Sequence, residues 1–102
     1  MDLSLTETPY IKLRRLHCEQ FIALLTNEIE ARHLLFYQHR QERSNFKNGF
    51  SYREIAMVIK WQISELMEFN AISSDKKNRL KQQQWQELQL LNATSYLEQM
   101  EK

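Results

Sequence analysis

Glu30 and His33 stand three residues apart, the spacing with which helical bundles aim a carboxylate and an imidazole at an enclosed metal. The companion carboxylates would be Glu54, Glu65 and Glu68, which fall opposite the expected buried face of their own helix. His17, Cys18 and His39 have no zinc spacing. No Ser/His/Asp or Cys/His arrangement suggests a nucleophile. Phosphate loops, dinucleotide fingerprints and nucleophile elbows are built from glycines, and 102 residues hold one, Gly49. The chain is therefore read as non-enzymatic, with no metal, cofactor or small-molecule substrate expected.

The cations are patterned more strongly than a net charge of +1 suggests. Lys12, Arg14 and Arg15 precede a long apolar-periodic segment, and Lys76, Lys77, Arg79 and Lys81 open a later one. In an up-down-up bundle these two starts would share one end and form a basic pole. A second basic region holds Arg32, Arg40, Arg43, Lys47 and Arg53, interleaved with Phe36, Tyr37, Phe46, Phe50 and Tyr52. Cations beside aromatic rings suit a single-stranded nucleic acid, through phosphate pairing and base stacking. This makes a sequence-nonspecific nucleic-acid-associated subunit the alternative function.

The elements that carry these residues follow from punctuation. One proline, Pro9, and one glycine imply long helices, since turns and strand ends draw on both. The reading is all-α: a single domain over 1–102, a three-helix bundle with an unusually long first helix. That helix spans about 8–43, capped by Thr8 with Pro9 in its first turn. Ser44 to Gly49 is a loop. Ser51, with Glu54 three residues on, forms a capping-box pattern before a second helix over about 51–70. Ser73-Ser74-Asp75 is expected to open a third, over about 74–101. No internal repeat is apparent.

On helix one the wide stripe Ile11, Cys18, Ile22, Leu25, Ile29 and Phe36, flanked by Phe21, Leu24 and Leu35, is expected to be core. A narrower strip of Leu13, Leu16, Ala31 and Leu34 is left for a partner. On helix two, Tyr52, Ile55, Ala56, Ile59, Ile63 and Leu66 are the expected buried face, with Met57 and Trp61 across from it among glutamates. A large aromatic on a polar face is a docking anchor. Met57 and Trp61, with Leu13, Leu16 and Leu34 as a second patch, are thus the candidate partner-binding residues. So small a domain buries little surface alone, and self-association or docking in a larger assembly is expected. One cysteine permits no internal disulfide, which points to a reducing cytoplasm. The first residues lack a signal-peptide pattern, and no apolar run approaches the ~20 residues of a membrane span.

Two local patterns resemble known families. Ser51-Tyr52-Arg53-Glu54-Ile55-Ala56 resembles the first helix of a helix-turn-helix, with Ile59, Leu66 and Phe69 at its apolar positions. It departs at Lys60, where that motif has glycine, and at Glu65 and Glu68 on the would-be reading helix. The whole chain resembles the all-helical chorismate mutases in its helix plan. The resemblance implies a dimer clamping a dicarboxylate with Arg15, Arg32, Arg43 and Arg53, and with Gln86 or Gln89. The spacings from Arg43 onward depart from that family. The residues themselves favour a small helical interaction module: a regulator, an inhibitor or an accessory subunit.

Overall fold

The structure, a computed structural model, describes residues 7–100 apart from the side chains of Lys47 and Asn48. It contains two long helices, α1 (Pro9–Ser44) and α2 (Tyr52–Met100), joined by a short 3-10 turn over Asn45–Asn48. The chain is all-α, with no strand among the described residues, but it is a helical hairpin and not a three-helix bundle.

Helix α1 starts behind Thr8, whose Oγ1 accepts the Ile11 amide at 3.2 Å. Gly49 ends the connection with φ 92°, a left-handed conformation that any side chain would strain. Ser51 Oγ then accepts the Glu54 amide at 3.2 Å and caps α2. The expected break near Ser73 does not occur: α2 runs through it without interruption. Asn70 to Asp75 contains neither glycine nor proline, so nothing there forces the backbone out of the helix. Ser73, expected to cap a third helix, is buried within α2 instead.

The chain divides into two compact units. One takes the described residues up to Leu24 together with those from Lys76 on; the other is Leu25–Asp75. In the first, Lys81 meets Phe21 and Glu87 meets His17, so the two segments run antiparallel. In the second, Gln62 meets His39 and Asn70 meets Arg32, again antiparallel.

The covered face of each helix has a repeat that the sequence alone did not reveal. On α2 the partly or fully buried residues include Ile55, Val58, Gln62, Leu66, Phe69, Ser73, Lys77, Leu80, Gln84, Leu88 and Leu91. Their intervals cycle 3, 4, 4 throughout. On α1, Leu13, His17, Phe21, Leu24, Glu28, Arg32, Leu35 and His39 follow the same rhythm. Eleven residues over three turns is 3.67 per turn, close enough to 3.6 that the stripe stays on one side of its helix.

This seam shares Phe21, Leu24, Leu35, Ile55 and Leu66 with the expected core, and Leu25 is half-buried too, but it differs elsewhere. Ile11, Ile22, Ile29 and Phe36, read as the buried stripe of helix one, are exposed, as is Cys18. Tyr52, Ile59 and Ile63 on α2 are exposed too. Four described residues are buried, His17, His39, Gln62 and Ser73, and every one is polar. The apolar periodicity marks a face beside the seam, because eight of the nineteen seam positions named are polar, half of those on α1.

The continuity of α2 is directly testable. Ser74 is exposed, so Ser74→Pro perturbs chiefly the backbone. Within an unbroken helix it should cost about 3 kcal/mol or more, read from urea unfolding; a near-neutral effect would show a turn there.

Candidate partner-binding surface

Each unit is pinned by one glutamine. In the unit Leu25–Asp75, Gln62 is 2% exposed and uses both ends of its amide. Its Nε2 donates to the His39 carbonyl at 3.0 Å and towards Glu42 Oε2 at 3.4 Å, while its Oε1 accepts from Arg43 Nε at 2.7 Å. His39 Nε2 faces Glu65 Oε2 at 3.4 Å. In the other unit Gln84 Nε2 donates to the His17 carbonyl at 2.9 Å and towards Gln20 Oε1 at 3.4 Å. His17 Nε2 lies 2.9 Å from Glu87 Oε2.

The two arrangements are copies of one another. His17 and His39 are 22 residues apart, as are Gln62 and Gln84, Glu65 and Glu87, and Gln20 and Glu42. Twenty-two residues are two turns of the 11-residue repeat. An ionised carboxylate can only accept, so His17 donates through Nε2. Its Nδ1 is buried without a partner. The hydrogen bond from His17, joined by one from Gln83, holds the Glu87 carboxyl below its ordinary range against a smaller desolvation that raises it.

A groove adjoins each copy. In the unit Leu25–Asp75 a groove of about 260 Å³ is lined by Phe36, Arg40, Arg43, Ile63 and Leu66 beside His39 and Gln62. In the other unit Arg14, Cys18, Phe21, Ile22 and Lys81 line one beside His17 and Gln84. Both pair apolar walls with cations.

The residues singled out from sequence are placed as follows. Met57 and Trp61 stand exposed on α2, at 49% and 60%. Leu34 is exposed in the same unit, whereas Leu16 is exposed in the other. Leu13 is half-buried at the seam and offers little to a partner. Reasoning from sequence missed the exposed Ile29, Phe36, Ile63 and Met67 of the unit Leu25–Asp75, because it assigned those apolar residues to the interior or left them unassigned. The polar positions recurring at 11 and 22 residues were the signal that could have found the seam.

The basic pole loses its geometric basis with the third helix. Lys76, Lys77, Arg79 and Lys81 sit inside α2 and not at a helix start. Lys81 lies over the Phe21 ring at 5.8 Å and, of the expected pole, shares a groove with Arg14. Arg15 pairs with Glu7. Arg40 and Arg53 are exposed, Arg43 binds Gln62, and the side chain of Lys47 lies outside those described. Arg32 is engaged by Glu28 at 3.2 Å and Asn70 at 3.0 Å, and covers the Phe69 ring at 5.0 Å. The helix-turn-helix would need a turn where α2 is continuous, and the mutase-like plan needs a third helix. Glu30 and His33 are both exposed, and among the described residues no three His, Cys, Asp or Glu side chains gather as metal ligands. No described helix is long and apolar enough to cross a membrane.

A carboxyl held low by the fold stabilises it above the ordinary glutamate range and ceases to do so as pH falls through its folded value. Wild type should thus exceed Glu87→Gln in urea stability at neutral pH, and the gap should close below about pH 4.5. A gap independent of pH would remove the His17–Glu87 hydrogen bond from the account. No protein-family model matches this chain, and neither a curated protein nor a solved structure matches it.

Proposed function

We propose that this chain is a non-enzymatic helical interaction module, acting as a regulator, an inhibitor or an accessory subunit, whose apolar flanks are covered by a partner. One observation carries the reading. No apolar side chain among the described residues is fully buried, while Ile22, Ile29, Met57, Trp61, Ile63, Met67 and Trp85 are each about half exposed or more. Each unit is a pair of helical segments, and among the described residues the large apolar side chains on their other faces have no third layer to meet. Exposed apolar surface of this extent marks an interaction site.

Trp61 is the anchor of choice. It is aromatic and exposed, and Glu65 and Glu68 stand one and two turns further along α2. Such a ring contributes a large contact area once a partner excludes water from it. Changing it should disturb docking more than folding, because the seam does not use it.

The chain should be purified under native conditions from its own host, as wild type and as Trp61→Lys, and sized with its co-purifying components. Wild type should run as a discrete complex with another chain or with itself. The variant should lose that complex and keep its far-ultraviolet helical signal. A wild type that runs as a lone, cooperatively folded monomer would refute the reading.

A further inference from the structure

The unit Leu25–Asp75 carries unlike flanks on the two sides of its seam. Ile63 and Trp61 are two residues apart on α2, so their side chains diverge by about 200° at 3.6 residues per turn. Ile63 lies on the groove side, with Phe36 and Arg40 of α1, and with Arg43 at the groove's edge. Helical spacing adds Ile29, Ile59 and Met67 to that side and no acidic residue. The other side carries Trp61, Met57, Ile72 and Leu34, together with Glu42, Glu54, Glu65 and Glu68 and no lysine or arginine. One flank is apolar and basic; its opposite is apolar and acidic.

We infer that a second copy of this chain is the occupant: the groove at Phe36, Arg40, Arg43 and Ile63 of one copy receives the Met57–Trp61 ridge of the next. This rests on the interaction-module reading and names its partner. The charges match across such a contact, with Glu65 and Glu68 approaching Arg40 and Arg43, and they set orientation while the aromatic and aliphatic groups supply affinity. Two copies joined groove to groove would instead set cations against cations. The contact is heterologous, so a joined pair retains one unused ridge and one unused groove, and growth continues until a ring closes.

Two variants separate the faces. Ile63→Lys fills the groove with a charge, and Trp61→Lys disables the ridge. Both sites are exposed, and helicity by circular dichroism checks folding. The purified recombinant chains should be compared by sedimentation velocity over a range of concentration and salt. Wild type should grow beyond a dimer as concentration rises, and less so in high salt. Each variant alone should remain a monomer. An equimolar mixture should form a 1:1 dimer and stop, because Trp61→Lys keeps an intact groove and Ile63→Lys an intact ridge. The milder Arg40→Ala should weaken association and flatten its salt dependence.

A mixture no larger than its components would overturn the groove-to-ridge contact, as would variants that associate like wild type. A wild type that is monomeric when purified recombinantly but complexed when drawn from its host would overturn the second-copy assignment alone. A monomer in both preparations would overturn the interaction reading as well.

Discussion

A glutamine amide that donates to a main-chain carbonyl of the opposite helix is the contact around which each unit is arranged. Gln62 reaches His39 and Gln84 reaches His17. A buried amide is costly unless its hydrogen bonds are made, and these are made in one alignment of the two segments. Sliding one helix by a turn would still set apolar residues of the two seams against one another. It would take Gln62 away from the His39 carbonyl and the Arg43 Nε that it bonds. The polar seam thus fixes which residues oppose each other, at the expense of the apolar area that a seam of leucines would bury.

That choice determines what is left for the outside. With polar groups spaced through the seam, much of the aliphatic and aromatic content is displaced to the flanks, where Phe36, Ile63 and Trp61 lie. The flanks differ in charge within the unit Leu25–Asp75, because the 11-residue rhythm keeps residues of one kind in line. Glu54 and Glu65 occupy the same helical line, 11 residues apart. The pattern that aligns the helices also sorts the charges, so register and surface character have one origin.

The helical content was legible because Gly49 and Pro9 are the sole residues of their kinds and both stand outside helix interiors. The caps at Thr8 and Ser51 could be read for the same reason: a hydroxyl before a periodic run has an evident use at a helix start. Ser73 misled because an identical side chain has a second use, as a small polar group that fits a packed seam. The seam was illegible because apolar periodicity is an indirect guide to burial. On α1 the most apolar stripe, Ile11 to Phe36, is a flank, and the buried stripe contains His17, Glu28, Arg32 and His39. The surface at Trp61 could be named from sequence. The groove at Phe36 and Ile63 could not, since its residues looked like core.

The central claim is that one copy of this chain cannot cover its own apolar flanks, so that folding is completed by association. Thermal unfolding followed over a wide range of protein concentration tests this most directly, because a stability that includes association follows mass action. The account predicts a midpoint that climbs steadily as the protein is concentrated. A sharp transition at one fixed temperature, from the most dilute sample to the most concentrated, would contradict it.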